Sequence, residues 1–210
     1  MFRFKLILVL FIAVSLIGCD SDKNIQENKV SDVEKKCQYK VSLDSSLMVW
    51  TGFKFNDRVG VKGEFDSIYI SGNTFSGSPM ESLKGLQFEI PTSSVNTNDA
   101  GRNKKIHEIF FGTFNTSNII GSIDSINGMT AILQLNMNKV SISKKINFQL
   151  SSDRILESKF NINVEDWNGL EAIAALNKAC EEKHTGNDSE SVLWPDVDIL
   201  LRTRLEKNCE

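Results

Sequence analysis

Histidine and cysteine carry the most versatile chemistry in this sequence, since both side chains bind metals and take part in catalysis. The chain has two histidines, His107 and His184, and four cysteines. Cys180 and His184 stand four positions apart, but a structural zinc site needs four ligands and no further ligands lie nearby in the sequence. We therefore expect no metal site, and interpret His184 as a solvated histidine at the end of a helix.

Motifs of catalysis and of nucleotide binding are missing from the sequence. It contains no Gly-x-Ser-x-Gly elbow, no P-loop and no dinucleotide fingerprint. Residues 75–79 (Phe-Ser-Gly-Ser-Pro) contain serines, but their composition is typical of a turn. The residues favour a binding protein over an enzyme, and an enzyme whose catalytic residues meet only in space is the alternative left open.

The N-terminus has the pattern of an export signal. Arg3 and Lys5 give a positively charged start, residues 6–17 are almost continuously apolar, and small residues lead to Cys19. An apolar run of this length is too short to cross a bilayer stably and is typical of a removable segment. The Leu-Ile-Gly-Cys ending at Cys19 resembles the lipobox of bacterial lipoproteins, whose cysteine carries acyl chains such as palmitate. We expect residues 1–18 to be removed and Cys19 to be lipidated; an ordinary secretory signal is the alternative.

Beyond Cys19 the composition is that of a polar leader followed by one globular domain. Without Arg3 and Lys5, 22 basic residues stand against 27 acidic ones and form no concentrated stripe, which argues against nucleic-acid binding. Residues 19–36 carry almost no large apolar side chains and are interpreted as a flexible, lipidated tether. We expect the folded domain to cover residues 37–210.

Apolar and polar residues alternate with a period of two through most of that domain, which predicts strands with one wet face. Asn127-Gly128 and Asn138-Lys139 predict hairpin turns. The predicted strands cover residues 48–55, 61–65, 86–90, 131–137, 146–150, 156–164 and 192–202. In the first of them, Val49, Phe53 and Phe55 are expected to share the apolar face.

Two segments break this pattern and predict helices. Residues 99–111 begin with an N-cap candidate and have one apolar side, and residues 170–182 are rich in alanine and amphipathic. In the second helix we expect Leu170, Ile173, Ala174 and Leu176 to form the buried stripe. Seven or eight strands with these helices predict an all-β domain, either a closed barrel or a sandwich.

An ordered series of short motifs resembles the YceI-like family of lipocalin-like, periplasmic or secreted proteins that are associated with polyisoprenoids. The motifs are Trp-Thr-Gly-Phe-Lys at 50–54, Val-Gly-Val-Lys-Gly-Glu-Phe at 59–65, Leu-Gln-Phe-Glu-Ile at 86–90, Ser-Val-Asn-Thr at 94–97, Arg-Asn-Lys-Lys-Ile at 102–106, Phe-Phe at 110–111 and Leu-Asn-Met-Asn-Lys-Val at 135–140. Asn103 departs from the family's usual aspartate beside Arg102, so only a hydrogen bond could replace a salt bridge there.

The resemblance implies an eight-stranded, antiparallel, lipocalin-like β-barrel with two short helices, which can enclose one elongated ligand. In such a barrel the start of the first strand would lie beside the end of the last one. On that basis we predict a disulfide between Cys37 and Cys209, with a pairing of Cys180 and Cys209 as the alternative.

The resemblance also implies a function, namely binding of a long-chain isoprenoid, such as a quinone or polyprenyl lipid, inside the barrel. Arg102 is the head-group candidate, with a structural role as its alternative. The expected ligand-binding residues are Phe53, Phe55, Phe65, Phe88, Leu133, Leu135, Phe148, Phe160 and Arg102. The competing hypothesis is a non-enzymatic scaffold with a filled core that presents loops such as residues 70–82 to a protein partner.

The expected location follows from the lipidated Cys19. The protein would be anchored in a membrane of the bacterial cell envelope and would face the periplasm. Asp20 resembles the inner-membrane retention signal of enteric bacteria and favours the inner over the outer membrane. No cofactor is expected beyond the bound lipid itself.

Overall fold

The computed structural model describes residues 36–210, so the expected signal segment, Cys19 and nearly all of the tether lie outside the described residues. The described part is mostly β-structure. Its strands are β1 (Cys37–Val41), β2 (Leu47–Lys54), β3 (Val59–Phe65), β4 (Tyr69–Ser71), β5 (Gln87–Pro91), β6 (Val95–Asn96), β7 (Asn118–Asn127), β8 (Thr130–Met137), β9 (Val140–Leu150), β10 (Ile155–Asn163) and β11 (Leu193–Cys209).

The helical elements are short and lie between strands. They are α1 (Ala100–Lys105), which continues as a π-helix (Ile106–Phe111), α2 (Leu170–Ala179), α3 (Glu181–His184) and the 3₁₀ turns Leu43–Ser45, Glu81–Leu83, Thr92–Ser94 and Val164–Trp167. Asp99 caps α1, and its side chain accepts a hydrogen bond from the backbone N–H of Arg102 at 2.9 Å. Among residues 36–210 we find no helix with the length and apolarity needed to cross a membrane.

All strand pairs are antiparallel and form one curled sheet in the order β4-β5-β7-β8-β9-β10-β11-β2-β3-β6. Eight strands make the continuous run from β5 to β3, and the short β4 and β6 extend its two ends. The prediction of an all-β, lipocalin-like antiparallel fold is therefore confirmed. The seven predicted strands leave out four of the observed ones, β1, β4, β6 and β7. Of these, β4 and β6 have only three and two residues, too few for alternation to be recognised.

Two tight turns set the register in the centre of the sheet. Gly128 begins the two-residue loop between β7 and β8 with a φ of 59°, as a type II′ turn requires. Asn138 and Lys139 both have positive φ, 46° and 60°, and join β8 to β9 as a type I′ turn does. Both predicted hairpins are thus confirmed, and each one places alternate residues of β8 on the core side.

The two ends of the described domain meet along β11. β1 and β2 lie end to end on one edge of this long strand, with Cys37 opposite Cys209 and Trp50 opposite Ile199. A disulfide joins Cys37 to Cys209, and Cys180 is a free, partly exposed cysteine. The bridge closes a loop of 172 residues and so constrains the unfolded chain strongly.

Buried apolar side chains fill the space under the central strands and the helices. Fully buried members include Leu133, Ile146, Leu156, Leu205 and Trp167. The indole N–H of Trp167 donates a hydrogen bond to the carbonyl of Leu135 at 3.2 Å. This bond satisfies a polar group that would otherwise be costly to bury.

The expected stripe of α2 is wrong in part. Leu170 has 47% of its surface exposed and Ala174 is exposed, whereas Ala172 is buried and Ile173 and Leu176 face the interior. α2 follows closely after the 3₁₀ turn Val164–Trp167, and its first residue, Leu170, faces solvent. Which side of the helix is buried depends on how the helix packs on the rest of the domain, and the sequence pattern of the helix alone does not give this.

Candidate functional site

A cavity with a volume of about 320 Å³ lies between the inner face of the sheet and the helices. Strand residues supply most of its wall, while the π-helix and α2 close one side with Ile106, Phe110, Ile173 and Leu176. The wall is almost wholly apolar. A volume above about 300 Å³ is typical of small-molecule sites rather than of packing defects.

The face of β2 that lines this cavity is not the expected one. Met48, Trp50 and Gly52 point inward, together with Ile199 and Val197 on the neighbouring β11. The opposite face of β2 also carries apolar side chains, and glycine gives no hydrophobic signal, so alternation could not decide between the two. The expectation that Val49, Phe53 and Phe55 share the inner face is wrong.

The prediction that Phe55 belongs to the strand is also wrong. β2 ends at Lys54, and Phe55 begins the following turn with a φ of 63°. Its carbonyl accepts a hydrogen bond from the indole N–H of Trp194 at 2.7 Å, and its ring lies 4.4 Å from the ammonium of Lys54. Phe55 does not line the cavity. The alternation of apolar and polar residues could not locate this turn, and the turn directs Phe55 away from the cavity wall.

The other expected ligand residues fall into two groups. Phe53, Phe65, Phe88, Leu133, Leu135, Phe160 and Arg102 all line the large cavity. Phe148 instead lines a second cavity of about 120 Å³. Phe53 alternates along β2 with the inward Gly52, and its ring lies 4.8 Å from the guanidinium of Arg58.

The two cavities are neighbours in the barrel interior. Met48, Phe88, Leu133 and Leu201 line both of them and form the partition between them. We call these four side chains the partition.

Aromatic rings from the π-helix cover one side of the large cavity. Phe110 lies 5.0 Å from Phe111 and 5.4 Å from Phe114, measured between ring centroids, and Phe65 of β3 lies 6.2 Å from Phe111. Edge and tilted contacts of this kind stabilise a fixed arrangement of rings. The Phe-Phe pair of the sequence motif is thus part of the cavity wall.

Asn103 holds the preceding loop to the helix. Its Oδ1 accepts hydrogen bonds from the backbone N–H of Thr97 at 2.8 Å and from the Thr97 hydroxyl at 2.7 Å. The amide therefore replaces a carboxylate with neutral hydrogen bonds. Arg102, its neighbour, is left to contact Asp99 at 3.8 Å across an exposed surface.

Polar side chains meet where the cavity opens to solvent. Lys54 from β2, Arg102 and Lys105 from α1, and Lys183 from α3 line this end, and we call these four residues the cationic rim. Lys54 Nζ donates to the carbonyl of Lys183 at 2.9 Å, and Lys105 Nζ donates to the carbonyl of Ala179 at 2.8 Å. These two bonds attach the α2–α3 segment to the sheet and to α1.

Two titratable groups at this end of the cavity have lowered pKa values. Burial, followed by the charges of Arg102 and Lys183, lowers the pKa of Lys54 from its ordinary value. Burial, followed by the charges of Lys54 and Lys105, lowers the pKa of His184 to about 4. His184 Nδ1 lies 2.9 Å from Asn177 Oδ1, so the histidine is neutral at pH 7 and hydrogen-bonded within the helical segment.

Sequence reasoning found only Arg102 of this rim. Cys180 and His184 both line the same end of the cavity, but residues 36–210 contain no group of three or more His, Cys, Asp or Glu side chains able to hold a metal ion. Lys54 stands inside a quoted motif, yet a lysine at a strand end is usually a solvated residue. Only its position next to residues of α1 and α3 distinguishes it.

The comparisons with known proteins agree with this architecture. The family model described as the YceI-like domain matches residues 39–203. No protein with a curated description matches the sequence. A polyisoprenoid-binding domain from Saccharophagus degradans, implicated in plant cell wall breakdown, is similar with a TM-score of 0.54 and 18% identity over 80% of this chain and 98% of that one.

Burkholderia cenocepacia BcnA is similar with a TM-score of 0.52 and 12% identity, over 79% of this chain and 99% of that one. At such identities the two structures support the fold. The family model spans well over half of the sequence and runs from β1 to β11, the whole of the curled sheet. The chain therefore belongs to the YceI-like family.

Proposed function

We propose that this protein is an envelope lipoprotein that binds an isoprenoid, or a similar amphiphilic lipid, in the cavity of its curled sheet. The observation that carries the proposal is the apolar cavity of about 320 Å³, which opens at one end onto polar side chains. An apolar interior with one polar end matches the shape and the polarity of a single-chain lipid. The wall offers binding surface rather than a catalytic group, so we infer a binding protein and not an enzyme.

The hydrophobic effect is large enough for such binding. Each buried CH₂ group contributes ~0.8 kcal/mol, so a five-carbon isoprene unit contributes roughly 3–4 kcal/mol. Association costs about 4–15 kcal/mol in lost freedom of motion. A ligand of a few isoprene units can exceed this cost without a charged anchor, and a longer chain could extend past the partition into the second cavity.

The similarity to the Saccharophagus domain supports this ligand class, because that protein is described as binding polyisoprenoid. Phe65, Phe88 and Phe160 supply the broad, flat surfaces along which such a chain can pack. The alternative is a scaffold with a filled core. A cavity of this volume in the barrel interior disfavours it.

Native mass spectrometry with lipid extraction tests the proposal. The full-length protein is produced in a bacterium, purified in mild detergent, and its co-purified lipid is identified. We expect one isoprenoid or related lipid per chain. A protein that carries no lipid, and that also resists loading with quinones and polyprenols, would support the scaffold instead.

The membrane anchor is the second part of the proposal. A single acyl chain gives only marginal binding, but a multiply acylated Cys19 would anchor stably and keep the cavity close to the bilayer in which isoprenoids dissolve. We expect an alkyne analogue of palmitate to label the wild-type protein and the Cys180→Ala control, and not Cys19→Ala. Labelling of Cys19→Ala would contradict the lipidation.

Fractionation tests the location. We expect the labelled protein in the inner membrane, oriented toward the periplasm and therefore open to protease after the outer membrane is permeabilised. Recovery in the outer-membrane fraction would show that Asp20 does not act as a retention signal here.

A further inference from the structure

Cys180 and His184 are a pair of metal-binding side chains to which the proposed function gives no role. Cys180 lies between α2 and α3, and His184 ends α3. The backbone N–H of His184 donates a hydrogen bond to the carbonyl of Cys180 at 3.0 Å, so the two residues are one helical turn apart. Side chains at this spacing lie on one face of a helix, and both of these line the open end of the large cavity.

The histidine ring is held in one tautomer by Asn177. The Nδ2 group of Asn177 donates to the carbonyl of Ser191 at 3.0 Å, and its Oδ1 accepts from the Ser191 hydroxyl at 3.2 Å, which fixes the orientation of the amide. The same Oδ1 lies 2.9 Å from His184 Nδ1. Because an amide oxygen only accepts, Nδ1 carries the proton, and Nε2 of the neutral imidazole keeps its lone pair. Metal-binding histidines are commonly oriented in this way, by a hydrogen bond from the other ring nitrogen to an oxygen.

Both ligand atoms are free to bind. Within residues 36–210 no hydrogen bond involves His184 Nε2 or Cys180 Sγ, and the disulfide between Cys37 and Cys209 leaves Cys180 as the free thiol. The charge of Lys54 acts on the His184 ring, and the charge of Cys180 acts on Lys54, so one ammonium group lies near both side chains. The thiol and the imidazole are therefore neighbours in space as well as in sequence.

The number and type of these ligands favour a soft, monovalent ion. Residues 36–210 contain no group of three or more His, Cys, Asp or Glu side chains able to hold a metal, whereas zinc sites take three or four protein ligands. Thiolate selects Cu(I), which accepts two ligands, and imidazole also suits copper. The rim cations Lys54, Lys105 and Lys183 lie at this end of the cavity, and a thiolate with a monovalent ion adds no net charge beside them, whereas a divalent ion would.

We propose that Cys180 Sγ and His184 Nε2 bind one Cu(I) ion at the open end of the cavity. The thiol proton leaves to solvent when the copper–sulfur bond forms, so binding needs no oxidant or reductant. Asn177 is a positioning residue, since its amide fixes the tautomer whose Nε2 lone pair binds the metal. The site goes beyond the proposed function and does not depend on a lipid in the cavity.

Competition with bathocuproine disulfonate, a coloured chelator of Cu(I), measures the affinity. The full-length protein is titrated without oxygen and in ascorbate, which keeps copper as Cu(I). We expect one Cu(I) per chain. Cys180→Ser and His184→Gln should each weaken binding by about 100-fold or more, since even the loss of an outer-shell partner costs about 10–100-fold in metal affinity.

Variants of Asn177 test the positioning of the ring. Asn177→Leu removes the acceptor of the His184 proton and should weaken Cu(I) binding by about tenfold or more. Asn177→Asp keeps an oxygen acceptor and should retain most of the affinity, although both variants lose the donor to Ser191. A purely structural role of Asn177 would instead weaken binding in both variants alike.

His107 and Cys19 supply the controls. His107 does not line the cavity, so His107→Gln should bind Cu(I) as the wild-type protein does. Cys19→Ala should do the same, because its thiol takes no part in the site. Urea unfolding of each variant without copper checks that it folds. Labelling of Cys180 with iodoacetamide gives a second measurement, since bound Cu(I) should protect the thiol in the wild-type protein and not in His184→Gln.

Four results would overturn the site. The first two are a wild-type protein without stoichiometric binding, and a wild-type Cys180 that Cu(I) does not protect. An unchanged affinity in folded His184→Gln is the third, because the thiol alone would then hold the ion. A large loss of affinity in His107→Gln or Cys19→Ala is the fourth, because it would assign the copper to other residues.

Discussion

Gly52 offers a direct way to fill the cavity from within. It lies on the inner face of β2, opposite Val61 and Val197, and lines the large cavity. A Cβ atom placed there would meet only the ring of Trp50, at 3.9 Å, which is an ordinary van der Waals contact. The substitution Gly52→Leu therefore extends a side chain into open space and leaves the backbone undisturbed.

The magnitude follows from the volumes. A leucine side chain occupies on the order of 150 Å³ of cavity, as judged from the space that its deletion leaves in a core. This is about half of the 320 Å³ available here. The displaced part of a ligand is about four carbon atoms at ~0.8 kcal/mol each, so we expect a loss of about 3 kcal/mol, or roughly 100-fold in Kd.

Stability should change in the opposite direction. A buried leucine gains hydrophobic contact, and replacement of a strand glycine reduces the entropy lost on folding. We expect the free energy of unfolding in urea to rise by about 1–2 kcal/mol. A misfolded variant would lose stability as well as affinity. Weaker binding together with greater stability would therefore show that the leucine fills the cavity.

Titration with farnesol, or with the native lipid once identified, measures the effect. Gly77→Leu is the control, since a Cβ at Gly77 meets nothing within 4 Å and the residue is exposed outside the cavity. Wild-type affinity in Gly52→Leu would refute the reasoning, because the ligand would then lie elsewhere. An equal loss of affinity in Gly77→Leu would refute it as well.

Three further predictions concern the disulfide, His184 and the partition. Replacement of Cys37 and Cys209 by serine should lower the free energy of unfolding by about 3–5 kcal/mol in urea titrations, because the bridge closes a loop of 172 residues. His184 has a folded-state pKa of about 4, below its unfolded value, so stability should fall as the pH drops from about 6.5 to 4, and His184→Gln should flatten that slope. Phe88→Ala should join the two cavities and shift ligand preference toward longer chains in competition between prenols of different length.

Each of these three predictions can be contradicted by one result. An unchanged urea midpoint under oxidising conditions would mean that the bridge does not form in the protein. A stability curve that keeps its acid slope in His184→Gln would assign that slope to carboxylates. An unchanged length preference in Phe88→Ala would place the end of the chain short of the partition.

The fold could be predicted because its signals are local. Alternation along β8 to β10 and the two hairpin turns depend on neighbouring residues only, and the structure follows them closely. The face of β2 could not be predicted, since both of its faces carry apolar side chains. Which one is inward depends on the pairing with β11 and β3, which lie far away in the sequence.

Residues of the site could be predicted from the sequence only where an apolar side chain lies on a central strand of the sheet. Leu133 and Leu135 on β8 meet this condition, and both line the cavity. Lys54, Lys105 and Lys183 do not, because each looks like a solvated lysine until β2, α1 and α3 are placed together. Electrostatic sites assembled from remote residues leave no period in the sequence.

The positions of the inward-facing glycines determine where aromatic rings pack against the sheet and where the cavity remains open. Gly63 faces Trp50 and Gly121 faces Phe88 across neighbouring strands, and in both cases a Cβ atom would collide with the ring. An aromatic ring thus occupies the room that each of these glycines leaves, as in other sheets where rings cover glycine. No aromatic ring packs closely over Gly52, and the space beside it is part of the cavity. The register between strands determines which residue each glycine faces. Glycine therefore accommodates a packed ring at Gly63 and Gly121, and adds to the cavity volume at Gly52.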